Sequence, residues 1–418
     1  MADFSIREKC KINTNIETDT FVGIKCKNAD FSIHFPIGFQ LADDDKELRK
    51  DILLLMSTIA ATVGRKESEI KDKSTVFSCT GFPFQAYLVV IHDYYARGYY
   101  KEVEVQYKVS KKGKIDWNRT IKTQKPFVQN NDVFYLNFVT KKNLVNEDEL
   151  ITQIHKYCVY DAFEKIGWLF TSTMPQKPEI KFNRKMFKSV LKNKLVHTFN
   201  DKNKLLFRSM LGIIDYLNGE KSSKDYKYGT YRFEYVWEAL IDKVYGIRNK
   251  EDYYPKTTWN FENYQYDIRD DYENSSLRPD SIMIFNGDIY VLDAKYYKYG
   301  IIRNPGLLPK STDINKQITY GEYIAEQDKF KKMHGEKYKV YNAFIMPFDA
   351  LKSGSEKVLR IGQATGNWKS SMKEYEKVQG ILVDVKHLMK IGVRNDCDEM
   401  SKLAECISQY VKEKTKCV

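Results

Sequence analysis

The chain has 418 residues, 42% of them hydrophobic, and its 68 basic and 56 acidic residues give a formal net charge of +12. This length predicts two or three domains, and the apolar content excludes a largely disordered chain. Seven scattered cysteines without a C-x-x-C pair argue against a zinc site and a disulfide framework, and the sequence shows neither a signal peptide nor a membrane span, so we expect a cytoplasmic protein.

Residues 1–145 predict a β-rich N-terminal domain that contacts a partner or DNA. Short alternating runs in residues 1–43 predict strands, and the acidic start at 43–45 predicts an amphipathic helix that ends near Gly64. A turn is expected at Lys112-Gly113. Further strands are predicted at AYLVVI, KEVEVQYKV, TIKTQKPFV and VFYLNFV.

From Asn146 the apolar period becomes helical, and residues 146–222 predict a helical basic connector. Its block at 181–208 carries nine basic residues and one acidic residue. This charge predicts contact with a polyanion such as double-stranded DNA, and a solvated helix face is the equally weighted alternative. The residues assigned to DNA binding in this block are Lys185, Lys188, Lys192 and Lys194.

Residues 223–418 predict an α/β domain, because helices and strands follow one another. A helix at YRFEYVWEALIDKVYG precedes two apolar runs, 281–285 and 289–292, joined by the hairpin signal Asn286-Gly287. A proline-containing loop, a helix at DINKQITYGEYIAEQ, strands at KVYNAFIMPF and GILVDV, and a final helix at 397–412 follow.

Charged residues stand at the ends of this apolar hairpin. A buried charge is costly unless it is paired or bound to a metal, and a hairpin returns Asp293 to the side of Asp280. Because Mg²⁺ prefers a few carboxylate oxygens and keeps several waters, we predict a Mg²⁺ site made by Asp280, Asp293 and the carbonyl of Ala294, in which Mn²⁺ substitutes. If this site cleaves a phosphodiester, Lys295, which shares the face of Asp293, would activate the water that attacks phosphorus. A solvated surface hairpin is the alternative.

The pattern of Pro279-Asp280, Asp293 and Lys295 resembles the PD-(D/E)xK nuclease superfamily. The resemblance implies a restriction-endonuclease-like core and hydrolysis of phosphodiester bonds.

Members of this superfamily commonly carry a glutamate on the helix before the hairpin. Glu234 and Glu238 both match, and we prefer Glu234 as a further metal ligand and catalytic residue, because its surroundings resemble the family segment. Similarity to the RecB-like branch implies a place near the phosphate for Gln317, as a catalytic residue, and for Tyr320, as a DNA-binding residue.

Longer segments resemble LlaJI-type restriction endonucleases over most of residues 30–350. The similar segments are FPIGFQL, GKIDWNRTIKTQKP, YGTYRFEYVWEALIDKVYG, RPDSIMI, YVLDAKYYKYG, LPKSTDINKQITYGEYI and YNAFIMPF. That family is related to McrC, a nuclease subunit that works with a GTP-hydrolysing AAA+ partner. The resemblance implies a restriction endonuclease subunit that defends a bacterium against foreign DNA.

Three functions follow from these patterns. The first is a metal-dependent DNA nuclease that acts with an AAA+ GTPase, which we favour because the chain has no G-x-x-x-x-G-K-[ST] loop of its own. The second is a stand-alone type II enzyme that recognises its own site. The third, a catalytically silent DNA-binding protein, is disfavoured because Asp280, Asp293 and Lys295 are all present.

Overall fold

The computed structural model of the chain describes residues 5–27, 30–66, 82–129, 132–146, 149–217, 225–260, 271–273, 276–354, 356–391 and 396–414. Its helices are α1 Asp45–Lys66, α2 Phe84–Arg97, α3 Trp117–Thr123, α4 Leu150–Ile166, α5 Arg184–His197, α6 Asp201–Tyr216, α7 Phe233–Val244, α8 Tyr299–Ile302, α9 Ser311–Glu326, α10 Asp328–His334, α11 Val385–Lys390 and α12 Cys397–Lys414. Among the described residues, none of these helices is both long enough and apolar enough to cross a membrane.

The strands complete a mixed α/β architecture, as predicted. They are β1 Cys10–Ile12, β2 Val22–Lys27, β3 Asp30–Phe35, β4 Glu102–Val109, β5 Lys114–Ile115, β6 Pro126–Gln129, β7 Asp132–Tyr135, β8 Val139–Asn146, β9 Tyr226–Thr230, β10 Thr258–Asn260, β11 Asp271–Glu273, β12 Ser281–Phe285, β13 Asp288–Ala294, β14 Val340–Phe348, β15 Val358–Thr365 and β16 Lys377–Asp384.

The chain divides into two compact units, one made of residues 1–80 and 225–418 and the other of residues 81–224. This division differs from the predicted boundaries at 145 and 222. The reason is long-range pairing, because β9 extends the sheet of β1, β3 and β2 by pairing antiparallel with β2. A buried ion pair of 2.6 Å between Lys386 and Asp51 further joins the two ends of the first unit.

A five-stranded sheet in the order β12-β13-β14-β16-β15 forms the centre of the first unit. The inner pairs are parallel and the outer pairs antiparallel. Every residue of β14 is buried, as expected for a central strand covered on both faces. The predicted hairpin is confirmed: β12 and β13 pair antiparallel around Asn286 and Gly287, whose φ angles of +50° and +84° fit a type I′ turn.

Helices fix this sheet in place. The α9 helix packs against β13, β14 and β16, and its Tyr320 and Ile324 join Ile282 and Val291 in one apolar cluster. On α7, the buried Trp237 donates its indole N–H to the carbonyl of Ile345 in β14 at 3.1 Å. The edge of the sheet at which β13 ends is therefore held by helices that precede and follow the hairpin in sequence.

The second unit combines helices α2 and α4 to α6 with the three-stranded sheet β4-β8-β5 and the separate hairpin β6-β7. The predicted strand AYLVVI was wrong, because it lies within α2. Its Tyr87, Val90 and Ile91 are buried at helical spacing, and the Tyr87 hydroxyl donates to Asp161 of α4 at 2.8 Å. Packing between helices thus outweighs the strand propensity of a β-branched run.

Candidate functional site

The hairpin brings Asp280 and Asp293 to the same end of the sheet. Ser281 pairs with Leu292, so Asp280, one residue earlier, stands beside Asp293. The Asp280 side chain reaches across β13 and accepts a hydrogen bond from the Ala294 backbone N–H at 2.8 Å. The three predicted metal ligands of the hairpin therefore lie together.

Two carboxylates in this position repel each other. Burial raises the pKa of Asp280 to about 7, and the negative charges of Asp293 and Glu238 add to the effect. Ionised Asp280 is therefore disfavoured unless a cation is near. A bound cation would relieve this repulsion directly.

Lys295 provides the cation nearest to these carboxylates. Its ammonium lies 2.7 Å from Asp293 Oδ2 and 2.9 Å from Asp313 Oδ1. The first contact is an ion pair without hydrogen-bond alignment, whereas the second is a hydrogen bond. Burial alone lowers the pKa of Lys295, but the two carboxylates outweigh burial and raise the pKa above its usual range. Lys295 is thus a charged donor held between two acids.

Asp313 is a residue of this site that the sequence patterns did not indicate. It lies in the first turn of α9, where its other oxygen accepts the Lys310 backbone N–H at 3.1 Å. An acid in the first turn of a helix is a common capping feature. Its sequence position therefore indicated a helix start and gave no signal for contact with Lys295.

The two glutamates of α7 have different environments. Glu234 forms an ion pair of 2.7 Å with Arg232, whereas Glu238 lines the same cleft as Asp280 and raises the pKa of that residue. The structure therefore associates Glu238 with the candidate site, although the sequence favoured Glu234. Lys250 fixes the start of β12, because it donates to the Asp280 carbonyl at 2.6 Å.

Gln317 and Tyr320 of α9 are both buried beside the hairpin. The Gln317 amide is 1% exposed and donates to the carbonyl of Val291 at 2.8 Å. The Tyr320 hydroxyl donates to the Arg278 carbonyl at 3.3 Å. Gln317 thus binds the backbone of β13, and Tyr320 binds the backbone just before Asp280. Contact with a phosphate would require these hydrogen bonds to be broken.

A cleft of about 1400 Å³ opens beside Asp280 in the first unit. Its lining combines five acids, Glu238, Asp242, Glu251, Asp252 and Asp280, with five basic side chains from three segments of the chain. Those basic residues are Arg248, Lys250, Lys256, Arg278 and Lys329. The cleft is therefore polar and of mixed charge, and its Lys250 is already paired with Asp242 at 3.0 Å.

The lysines predicted to bind DNA lie on α5 in the second unit. Lys188 is paired with Asp215 at 2.5 Å, and Lys194 is paired with Glu102 at 2.6 Å. Lys185 and Lys192 are exposed. Of the four lysines assigned to DNA binding, two are therefore exposed and two already neutralise acids within their own unit.

The residues at the hairpin end fit a magnesium ion. Among the described residues, no group of three or more histidine, cysteine or acidic side chains could hold a metal. Mg²⁺ does not need such a group, because it commonly uses one or two carboxylates and completes its shell with water and substrate phosphate. Asp280 and Asp293 could supply those two carboxylates, because they lie together and repel each other.

Comparisons with known proteins give the family. One match is a solved structure of a Thermococcus gammatolerans complex of McrB AAA+ hexamers with bound McrC, at 15% identity. The match covers 93% of this chain and 83% of that chain. Its TM-score of 0.38 is too low to indicate a shared fold. The "Type II restriction enzyme BsuMI component YdjA" of Bacillus subtilis is 29% identical over 270 residues, which are 60% of this chain and 55% of the relative. The alignment thus spans about half of that relative. The profile of the LlaJI restriction endonuclease family matches residues 21–359, and the chain belongs to this family.

Proposed function

We propose that the chain is a Mg²⁺-dependent endonuclease subunit that hydrolyses phosphodiester bonds of double-stranded DNA in a restriction system. The observation that carries this proposal is the convergence of Asp280, Asp293 and Lys295 at one end of a buried hairpin. The arrangement is that expected for a PD-(D/E)xK core. Membership of a restriction endonuclease family supports the reaction class.

The proposed chemistry divides between the carboxylates and the lysine. Asp280 and Asp293 would hold the ion, together with the Ala294 carbonyl, and Mn²⁺ should replace Mg²⁺ better than Zn²⁺ because these ligands are hard oxygens. The ion supplies charge stabilisation and water activation. Lys295 has donors only, so it would orient the attacking water and offset phosphate charge.

Asp313 would act as a positioning residue in this scheme. If Asp293 binds the metal, its ion pair with Lys295 would weaken. The 2.9 Å hydrogen bond from Lys295 to Asp313 could persist. The ammonium would then stay aimed at the reacting phosphate. Glu238 on α7 is the glutamate that we propose to assist at the metal.

We further propose that the chain works with an AAA+ GTPase. The chain contains no nucleotide-binding G-x-x-x-x-G-K-[ST] loop, and the similar protein from Bacillus subtilis is named as a component of an enzyme. The β6-β7 hairpin also fits a protein partner. Its Phe127, Val128, Val133 and Phe134 are 49 to 64% exposed, and a two-stranded ribbon with such side chains gains stability when it is covered.

A stand-alone type II restriction enzyme is the second candidate. The type II class to which the Bacillus subtilis relative is assigned supports this candidate, although that relative is itself named as a component. In this case the second unit would recognise the DNA site, and the exposed Lys185 and Lys192 would contact phosphates.

Cleavage of plasmid DNA tests both candidates. The purified full chain is incubated with DNA and Mg²⁺, with and without a candidate AAA+ GTPase partner and GTP, and EDTA replaces Mg²⁺ in a parallel series. We expect cleavage only with Mg²⁺ and only with the GTPase. Cleavage by the chain alone would select the second candidate, and cleavage that persists in EDTA would refute the metal-dependent reaction.

A further inference from the structure

A short segment connects β13, which ends just before Lys295, to α9. Its exposed apolar and basic side chains have no role in the proposed chemistry. We call residues 297–310 the exit loop, because they closely follow Lys295. The Tyr297 backbone N–H donates to the Lys295 carbonyl at 2.8 Å. Burial raises the pKa of the Tyr297 hydroxyl, and the nearby charges of Asp313, Lys295 and Asp293 also act on it. The exit loop thus begins at the candidate site.

The exit loop is firmly anchored. Tyr299 and Leu308 pack on the cluster of Met346 and Phe348 at the end of β14. Between these anchors, the Asn304 side chain accepts the Gly306 N–H at 2.9 Å, and further backbone hydrogen bonds close the turn. The residues between the anchors are therefore presented in a fixed conformation.

The presented residues are apolar and basic. Ile301 and Ile302 are exposed, the latter by 58%. The next residue, Arg303, has a left-handed backbone with φ of +60° and ψ of +24°, which a residue with a Cβ adopts at a cost in energy. Such strain is retained where the side chain or its neighbours are useful. Here it directs an arginine beside two isoleucines at the surface.

Charge identifies the ligand of this surface. Residues 294–312 contain Lys295, Lys298, Arg303 and Lys310 and no acidic residue. Within the part of the chain that the structure describes, neither Lys298 nor Arg303 forms an ion pair. Lys295 is already paired with Asp293 and Asp313, so Lys298, Arg303 and Lys310 supply the three positive charges that complement a polyanion.

We propose that the exit loop is a DNA-contact element of the endonuclease, in which Lys298 and Arg303 bind phosphates next to the scissile bond and Ile301 and Ile302 pack against a groove edge. The inference rests on the proposed function, because it takes double-stranded DNA as the ligand. Phosphate contacts place the duplex, and apolar contacts in a groove add affinity that salt does not screen.

Two variants separate these contributions. Arg303→Gly removes the guanidinium and also relieves the left-handed backbone, so its melting temperature should equal or exceed that of the wild type. The double variant Ile301→Ser with Ile302→Ser removes the apolar surface. Matched controls in the same unit are Leu351→Ser, at a side chain 57% exposed, and Lys337→Ala, at an exposed lysine.

Binding of a fluorescein-labelled duplex to the full chain is measured by anisotropy over a range of salt concentrations, with Ca²⁺ in place of Mg²⁺. Arg303→Gly should reduce the slope of log affinity against log salt by about 0.9. The isoleucine variant should lose on the order of ten-fold in affinity with an unchanged slope. Both controls should bind as the wild type does.

The outcomes distinguish the inference from the proposed function. If both exit-loop variants bind the duplex as the controls do, while the wild type binds and cleaves it, the inference is overturned and the proposed function stands. If the variants lose only association with the AAA+ GTPase in gel filtration, the exit loop is a protein contact and the inference is likewise overturned. A wild type that neither binds nor cleaves DNA, with or without that subunit, refutes both.

Discussion

Asp280→Asn should stabilise the metal-free protein while it abolishes activity. Burial beside Asp293 and Glu238 raises the pKa of Asp280 from 3.8 to about 7, which is about three units. At about 1.4 kcal/mol per unit, ionised Asp280 costs the folded state up to ~4 kcal/mol. Asparagine keeps the shape and an acceptor for the Ala294 N–H, but it carries no charge.

The sign of this effect depends on pH. Below about pH 4 the carboxyl is protonated in both the folded and the unfolded state, so the substitution should change stability little. Between about pH 4 and about pH 7 the unfolded wild type releases the Asp280 proton while the folded state keeps it, so the wild type loses stability over this range, whereas the variant does not. The advantage of Asp280→Asn should therefore grow from near zero to its full size between about pH 4 and about pH 8.

Urea unfolding in EDTA at these two pH values measures the difference. Asp328→Asn is the matched control, because Asp328 is exposed on α10 and its replacement removes only a surface ion pair. Adding Mg²⁺ should stabilise the wild type and leave Asp280→Asn unchanged. A variant that is less stable than the wild type at about pH 8, or an advantage that shrinks as pH rises, would refute the reasoning.

Three further predictions concern the lysines and a buried histidine. Lys295→Ala should retain Mg²⁺ binding in calorimetry yet cleave DNA ~10² to 10⁴ times more slowly under single-turnover conditions, and Lys295→Arg should not restore the rate; failure to bind the metal would contradict the role given to Lys295. Lys185→Ala with Lys192→Ala should make the salt dependence of DNA binding shallower by about 0.9 for each phosphate that the chain no longer neutralises, whereas Lys188→Ala, at a lysine already paired with an acid, should not; equal slopes would make α5 a solvated face. Burial lowers the pKa of His155 from 6.5 to about 4, so the folded state favours the neutral imidazole. The free energy of unfolding should therefore fall by up to ~3 kcal/mol as pH drops from about 6.5 to about 4. If His155→Gln shows the same fall, other groups cause it.

Local patterns predicted much of the site. The Asn286-Gly287 signal predicted the hairpin and its turn, because both residues accept a positive φ. Once the hairpin is known, pairing geometry brings Asp280 next to Asp293 without knowledge of the rest of the fold. Helical spacing likewise predicted α7 and α9.

Interactions between distant segments could not be predicted in this way. The pairing of β9 with β2 joins residues about 200 positions apart, and no local pattern specifies such a partner. The choice between Glu234 and Glu238 depended on how α7 faces β13, since both lie one turn apart on the same helix. No local pattern indicated Asp313, because its hydrogen bond with Lys295 requires the tertiary position of α9.

The central claim is that Asp280 and Asp293 make the hairpin end a Mg²⁺-dependent cleavage site. Single-turnover cleavage of duplex DNA by Asp293→Ala, with the full chain and its proposed partner in Mg²⁺, tests it most directly, and Glu234→Gln serves as the control on α7. We predict that Asp293→Ala loses both Mg²⁺ binding and cleavage while it remains folded, and that Glu234→Gln retains both. Cleavage by Asp293→Ala at the wild-type rate would contradict the claim.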